Sequence, residues 1–157
     1  KDLNNIPINK ISVRKNDEME SVFAEIMVKN KLSPDLLIGV LINASAPKIL
    51  KIKKHFNRPR PWTLAKKFNV KMKDYRLPSM NTPSYPSGHS AQAVLIARVL
   101  SDKYPRLKKA FMSAAKKISY SRRVARGHYE SDSKFGELIG EDMYKHIKNK
   151  VQKKGSN

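Results

Sequence analysis

Apolar residues recur every three or four positions along most of this 157-residue chain, and no segment shows the apolar–polar alternation of a half-buried strand. Such spacing puts the apolar side chains on one face of a helix. It predicts helices that start near Asp17, Pro34, Trp62, His89, Pro105 and Asp132. We therefore predict an all-α fold, built as a single compact bundle of about five to six helices.

The segments outside these helices predict how the chain is organised. Its length suits one domain, so residues 1–157 are predicted to form a single domain. Residues 1–16 lack a clear period and predict an extended arm, whereas residues 148–157 predict a basic, frayed tail. Residues 71–87 contain three prolines and predict a long loop beside the functional site, since a loop of this length in a small domain is usually functional.

The charge of the chain restricts its partners. Lysine and arginine outnumber aspartate and glutamate by 33 to 13, which gives a net charge of +20. Such a surface attracts anions, whether phosphorylated molecules, nucleic acid or an anionic membrane. The absence of cysteine excludes disulfides, thiol nucleophiles and zinc sites built on cysteine. The longest apolar run, residues 36–42, is too short to span a bilayer, so the chain as given is predicted to be soluble.

Three polar clusters interrupt the helical pattern. Residues 53–61 read Lys-Lys-His-Phe-Asn-Arg-Pro-Arg-Pro, residues 85–90 read Tyr-Pro-Ser-Gly-His-Ser, and residues 121–132 begin with Ser-Arg-Arg and end with His-Tyr-Glu-Ser-Asp. Hydrolysis of a phosphate ester needs cations that neutralise charge, a nucleophile and a proton for the leaving oxygen. Together the three clusters contain residue types for all of these tasks.

Arg122 gives the strongest indication of an anion site. It continues an apolar stripe formed by Phe111, Ala115 and Ile118, which predicts that its side chain points into the core. A buried guanidinium needs an anionic partner, either a phosphate held by its planar fork or a carboxylate in a structural salt bridge. Lys53 also continues a stripe, and the alternative for this residue is a surface lysine with a partly buried stem.

Ser87, Gly88 and His89 lie where the long loop meets a predicted helix. Glycine lets the backbone approach a ligand, and the N–H groups at a helix start attract an anion. The Ser87 hydroxyl adds a donor, although it could instead cap its own helix. His128 precedes Asp132 by four residues, so the carboxylate can fix one ring nitrogen and leave the other as a nucleophile. Asp132 could also be the N-cap of the last helix.

The clusters resemble the signature of the type 2 phosphatidic acid phosphatase superfamily, to which the vanadium haloperoxidases are also related. That signature is a lysine, six residues and Arg-Pro, then Pro-Ser-Gly-His, then Ser-Arg, five residues, His, three residues and Asp. All parts occur in order within about residues 53–140, with wording most similar to the class A bacterial non-specific acid phosphatases. Lys51 with Arg58 has the same spacing as Lys53 with Arg60, and we choose the second pair because of this similarity.

The resemblance implies a metal-independent phosphatase for phosphate monoesters, with diphosphates and lipid phosphates as further candidates, that acts through a covalent phosphohistidine. It implies that His128 attacks phosphorus, that His89 protonates the leaving oxygen and then activates water, and that Asp132 orients His128. The phosphoryl oxygens would be held by Lys53, Arg60, Ser87, Gly88 and Arg122. No cofactor is expected, because three cations already offset the charge. We expect the leaving-group side to lie in the loop between Pro61 and Ser87.

Two other functions remain open from the sequence. A vanadium-dependent haloperoxidase uses a similar pocket, although those enzymes are much longer. A non-catalytic, basic nucleic-acid-binding protein would explain the charge, but the basic residues are not interleaved with aromatics, so no specific nucleic acid is predicted as a partner. The expected partner is a phosphorylated small molecule or lipid, and the basic surface is compatible with peripheral contact with an anionic membrane. The class A resemblance would imply a periplasmic location.

Overall fold

The computed structural model describes residues 10–155, apart from the side chains of residues 11, 12 and 151–155, and this part of the chain contains no strand. Its helices are α1 (Lys10–Asp17), α2 (Met19–Lys29), α3 (Leu37–Phe56), α4 (Pro61–Lys67), α5 (Gly88–Lys103), α6 (Lys108–Val124) and α7 (Glu130–Gly155). Two short 3₁₀ turns are Pro78–Met80 and Pro105–Leu107. The predicted all-α class is confirmed.

Helices α2–α7 correspond to the six that the apolar spacing predicts, and α1 is an additional helix. The extended arm predicted for residues 1–16 is therefore wrong over residues 10–16, and residues 1–9 lie outside the described residues. A helix as short as α1 is unstable alone in water, so its packing against α6 and the burial of Val13 account for it. The basic tail predicted for residues 148–157 is helical as far as residue 155, where α7 ends; residues 156 and 157 lie outside the described residues.

Helix α5 lies at the centre of the bundle and packs against α3, α6 and α7. Its buried residues occupy all sides of the helix rather than one stripe: Ser90, Ala91, Gln92, Ala93, Val94, Leu95, Ile96, Ala97, Leu100 and Ser101. A helix that is apolar or small all round has to be surrounded by other elements. The N-terminus of α5, which follows Ser87, is thereby fixed inside the protein.

Gly136 and Gly140 allow α7 to approach α5 closely, as their spacing of one helical turn predicts. A Cβ atom at Gly136 would lie 2.4 Å from the main-chain oxygen of Ser87, and one at Gly140 would lie 2.4 Å from that of Ala91. Neither position could hold a larger side chain without a shift of the backbone. The first turn of α7, which contains Asp132, is thus held against the start of α5, and the Ser87 N–H donates a 3.0 Å hydrogen bond to the Asp132 main-chain oxygen.

The junction between α3 and α4 positions two cationic side chains. Helix α3 continues through Pro47 without a break and ends at Phe56, and its C-cap residue Asn57 has a φ of 49°, in the left-handed region. The chain then extends through Arg60, which is the N-cap residue of α4, before Pro61 starts that helix. Lys53 in the last turn of α3 and Arg60 are thus brought to the same part of the protein.

The long connection between α4 and α5 packs on the bundle rather than extending into solvent. Leu77 and Met80 form an apolar cluster with Val13, Val124 and Ala125.

The described helices include none that is both long enough and apolar enough to cross a bilayer.

Candidate active site

His128 lies in the interior, just after α6. It is 1% exposed, and its Nε2 atom is 2.7 Å from Nη1 of Arg60. Because a guanidinium can only donate, Nε2 must be the acceptor, and the neutral ring carries its proton on Nδ1. Nε2, the ring nitrogen that carries the lone pair, therefore faces the Arg60 guanidinium.

Asp132 lies on the other side of the His128 ring, in the first turn of α7. Its Oδ2 is 3.4 Å from Nδ1 of His128 and accepts a 2.8 Å hydrogen bond from the Tyr129 N–H, while its Oδ1 accepts a 2.7 Å hydrogen bond from Arg58. The 3.4 Å separation exceeds an ordinary N–H···O hydrogen bond, so the contact with His128 is one of proximity and charge. Asp132 follows the N-cap residue by three positions and binds its N–H, so it supports the helix start without being the N-cap itself.

The ionisation states of this pair follow from burial. Burial lowers the pKa of His128 well below its usual value, and the charges of Arg60, Arg122 and Lys53 lower it further. Burial raises the pKa of Asp132, although the hydrogen bond from the Tyr129 N–H and the charge of Arg58 act in the opposite direction. His128 is therefore a neutral imidazole at neutral pH, which is the form that can act as a nucleophile.

Three cations surround the same space, and all are buried: Lys53 is 6% exposed, Arg60 5% and Arg122 2%. Burial, together with the charges of the two arginines, lowers the pKa of Lys53 to about 7. Burial and the charge of Arg122 lower the pKa of Arg60 to about 10. Each cation makes the others harder to charge, and an anion placed among them would relieve this repulsion.

Main-chain oxygens of the long loop hold two of these cations in place. Lys53 Nζ donates a 2.8 Å hydrogen bond to the Pro83 oxygen, and Arg60 Nε donates a 2.9 Å hydrogen bond to the Thr82 oxygen. Arg60 Nη1 also donates a 2.9 Å hydrogen bond to the Gly127 oxygen, next to His128. Carbonyl oxygens orient the side chains without cancelling their charge, so both cations keep their attraction for an anion.

Arg122 has a carboxylate partner. Its Nη1 lies 2.6 Å from Oδ1 of Asp17, at the end of α1, and its Nη2 donates a 3.2 Å hydrogen bond to Ser79. The salt bridge that the sequence left open is therefore present in the structure. Burial lowers the pKa of Arg122, and the charge of Asp17 opposes that shift.

His89, in the first turn of α5, contacts the same aspartate. Its Nε2 lies 3.0 Å from the main-chain oxygen of Asp17 and 3.3 Å from Oδ1 of that residue. Burial and the charge of Arg122 lower the pKa of His89, while the hydrogen bonds to Asp17 raise it. The charge of His89 in turn lowers the pKa of His128, so the two imidazoles share one electrostatic environment.

Ser87 and Gly88 form the start of α5, as predicted. Ser87 is completely buried, and its hydroxyl oxygen accepts a 3.2 Å hydrogen bond from the Ser90 N–H. This is the capping contact that the sequence offered as an alternative. The contact uses the oxygen as an acceptor and leaves the hydroxyl proton available for an anion. Gly88 is the first residue of α5, next to the stem of Lys53.

The two possible registers of the first cluster differ in burial. Lys51 is exposed, whereas Lys53 is buried beside the site. The Arg58 side chain is 35% exposed, pairs with Asp132 and lies with its guanidinium carbon 4.1 Å from the centre of the Tyr85 ring. The pair Lys53 and Arg60 thus lies beside His128, whereas Arg58 reaches the site through its contact with Asp132.

Asp17 is the site residue that sequence reasoning missed. It follows the segment interpreted as an extended arm, it was predicted only as the start of a helix, and no motif includes it. The stripe position of Arg122 did indicate an anionic partner, but not which carboxylate would supply it. Among the residues that the structure describes, no group of three or more histidine and acidic side chains is arranged to hold a metal ion.

Comparisons with known proteins show the family and the fold. A model of the PAP2 superfamily matches residues 35–155. The non-specific acid phosphatase of Salmonella typhimurium is 32% identical over 114 residues, an alignment that covers 73% of this chain but 42% of that protein, so the chain spans less than half of this relative. The crystal structure of the first transmembrane PAP2-type phosphatidylglycerolphosphate phosphatase from Bacillus subtilis superposes with a TM-score of 0.54 at 18% identity, over 96% of this chain and 74% of that one. At 18% identity, the similarity to the Bacillus subtilis structure shows a shared fold and nothing further.

Proposed function

The chain belongs to the PAP2 superfamily, and from this we propose that it is a phosphatase that hydrolyses phosphate monoesters through a covalent phosphohistidine at His128. One observation supports the proposal most. A buried imidazole with its Nε2 lone pair towards Arg60 lies beside three buried cations, and among the described residues Arg122 is the one of the three that pairs with a carboxylate. Such a site suits the binding of an anionic phosphoryl group and its attack by Nε2 of His128.

The proposed nucleophile is Nε2 of His128. Burial and neighbouring positive charge keep the ring neutral, so its lone pair is available at a pH where a histidine in water would be partly protonated. As Nε2 bonds to phosphorus the ring becomes positive, and the carboxylate of Asp132 on the Nδ1 side stabilises that charge. The ester oxygen leaves with the electron pair of the broken P–O bond.

Lys53, Arg60 and Arg122 are proposed to bind the phosphoryl oxygens, with the Ser87 hydroxyl and the Gly88 N–H as further donors. These groups are fixed before the substrate arrives, so little reorganisation is needed when charge develops. Three cations match the charge of the transferring group, so a metal ion is not required. We expect full activity in excess chelator; a loss of activity that magnesium restores would contradict this part of the proposal.

His89 is proposed to protonate the leaving oxygen and then to take a proton from the water that hydrolyses the phosphohistidine. Its position at the start of α5, next to Ser87 and Gly88, puts it at the edge of the proposed phosphate site. The Salmonella protein is named a non-specific acid phosphatase, which favours a range of monoesters over one dedicated substrate. A panel of nucleotides, sugar phosphates, lipid phosphates and diphosphates would define the range.

The decisive test is the variant His128→Ala. We expect its turnover of para-nitrophenyl phosphate to fall by about 10⁴-fold or more, as is typical when a covalent nucleophile is removed. Wild-type enzyme quenched in alkali, where a phosphorus–nitrogen bond survives, should carry phosphate on His128. His146→Ala changes an exposed histidine of α7 and should behave as wild type. Unchanged turnover in His128→Ala, or a phosphoenzyme labelled elsewhere, would refute the mechanism.

A further inference from the structure

Asp17 contacts both the proposed proton donor and a proposed phosphate ligand, yet it lies outside residues 35–155, which the superfamily model matches. We propose that Asp17 is a positioning residue of this active site, which fixes the His89 ring so that Nδ1 is the nitrogen that gives a proton to the leaving group. The proposal rests on the proposed phosphatase function and adds to it a residue from α1.

The contacts of His89 determine which of its nitrogens is available. Nε2 lies 3.0 Å from the main-chain oxygen of Asp17, and a carbonyl oxygen can only accept, so Nε2 carries a hydrogen. The side-chain Oδ1 of Asp17, at 3.3 Å from the same nitrogen, adds a negative charge on that side. In the neutral ring Nδ1 has no proton, and protonation of His89 therefore takes place at Nδ1.

Asp17 is itself held in place. Its Oδ1 accepts a 2.7 Å hydrogen bond from the Ser79 hydroxyl and pairs with Arg122 at 2.6 Å. Although partial burial raises the pKa of Asp17, its hydrogen bonds with His89 and Ser79 and the charge of Arg122 lower it far below the usual value. The carboxylate thus stays ionised throughout the pH range in which His89 titrates, and it opposes the loss of charge that Arg122 and burial impose on His89.

The proposed step balances with His89 as donor. The Nε2 lone pair of His128 forms the N–P bond, the P–O bond breaks with its electron pair on the ester oxygen, and the Nδ1 proton of His89 moves to that oxygen. Asp17 keeps its contact with Nε2–H throughout. In the second half, Nδ1 takes a proton from water as the water oxygen bonds to phosphorus, and the N–P electron pair returns to His128.

A cavity of about 410 Å³ opens at this pair. It is lined by Asp17, Glu18 and Glu20, where α1 meets α2, and by His89 and Gln92 from α5. A leaving group that occupied this cavity would meet His89 and Asp17 together. The leaving-group side, predicted to lie in the loop between Pro61 and Ser87, is thus assigned by this proposal to the segment from α1 to α2.

The test compares substrates that differ in their need for a proton donor. An alkyl phosphate has a strongly basic leaving oxygen and needs protonation, whereas para-nitrophenyl phosphate releases a stable anion and needs little. We expect Asp17→Asn to lower kcat on the alkyl phosphate by about 10- to 100-fold, and on the nitrophenyl ester by less than about threefold, since general acid catalysis contributes about 10²–10⁴ and part of it survives without the carboxylate. Asp17→Glu should restore part of the difference.

The pH profile gives a second readout. His89 must be protonated to donate, so activity with the alkyl phosphate is lost as the pH rises through the pKa of His89. Arg122 on α6 and Asp17 on α1 shift the pKa of His89, His128 after α6 interacts with it electrostatically, and Glu18 and Glu20 line the same cavity. Of these Asp17 raises the pKa of His89, so Asp17→Asn should move the alkaline limb to lower pH. Glu25→Gln removes a carboxylate of α2 that lies outside this cavity and pairs with Lys15 and Lys29, so it should leave both readouts unchanged.

The possible outcomes are distinct. Equal loss on both substrates in a variant that unfolds at the wild-type temperature would overturn the positioning role, as would wild-type kinetics. A lower KM and tighter inhibition by phosphate, with kcat unchanged, would instead identify Asp17 as a competitor for Arg122 and would also overturn it. A wild-type chain that neither turns over the nitrophenyl ester nor forms phosphohistidine would refute the proposed function itself.

Discussion

Two histidine–aspartate pairs face the same site, and they are built differently. His128 and Asp132 are four residues apart, are 1% and 0% exposed, and approach through Nδ1 of the ring. His89 and Asp17 are 72 residues apart, are 17% and 19% exposed, and approach through Nε2. Each aspartate thus leaves the opposite ring nitrogen for chemistry.

The difference in burial matches the two proposed tasks. A nucleophile must keep its lone pair, and deep burial among cations lowers the pKa of His128 well below its usual value. A proton donor must gain and lose a proton in each cycle, and the contacts of Asp17 offset part of the burial that lowers the pKa of His89. Similar pairs of residues can therefore serve opposite purposes when their surroundings differ.

The largest effect that tests this contrast is expected for Asp132→Asn. An asparagine cannot stabilise the positive ring that forms when His128 attacks, and kcat should fall by on the order of 10³-fold. Because every substrate is attacked by the same nitrogen, the loss should be equal for alkyl and nitrophenyl phosphates. A loss that depended on the leaving group, as expected for Asp17→Asn, would show that the two pairs do not have separate tasks.

A smaller effect distinguishes the two arginines around His128. Arg60 faces Nε2 directly, and Arg60→Ala should lower kcat by about 10²–10³-fold, as expected for the loss of one fixed donor to the transition state. Arg58 contacts Asp132, which keeps its hydrogen bond from the Tyr129 N–H, so Arg58→Ala should cost about tenfold or less. Steady-state kinetics of the two variants provide the measurement, and the reverse order would favour the register of Lys51 with Arg58.

Much of the first pair could be predicted from the sequence, because its members are neighbours in the chain. The spacing of His128 and Asp132 is fixed by one turn and the start of one helix, so local rules are sufficient. The burial of Arg122 was also predictable, since its stripe position reflects the face that α6 turns towards the core. The two glycines one turn apart in α7 indicated a close contact with another helix, although not that α5 would be this helix.

The second pair could not be predicted in this way. Asp17 reaches His89 because the short helix α1 packs against α6, and that packing depends on tertiary contacts rather than on a local pattern. With Val13 as its one described residue in the core, α1 has no stripe long enough to be recognised. The need of Arg122 for an anionic partner was visible, but neither that this partner is a carboxylate nor which of the 13 acidic residues supplies it could be predicted.

The smallest expected effect concerns Lys53. The pH dependence of the site could arise from this lysine or from His89, so the contribution of each residue has to be measured separately. The pKa of Lys53 is lowered to about 7 by burial and by the two arginines. Below that pH the Lys53 amine is charged, whereas above it the amine is neutral and has to take up a proton before it can pair with an anion. The affinity of the site for an anion should therefore fall as the pH rises through about 7.

Sulfate is the suitable probe for Lys53, because its own charge is constant over this range. Lys53→Arg keeps a full charge, so its inhibition constant for sulfate should rise less steeply with pH than that of the wild type, with a difference of a few-fold near neutrality. Lys51→Arg changes an exposed lysine of the same helix and should keep the wild-type slope. If Lys53→Arg kept that slope too, the pH dependence would belong to His89, and the contrast between the two histidines would account for the titration of the site without the lysine.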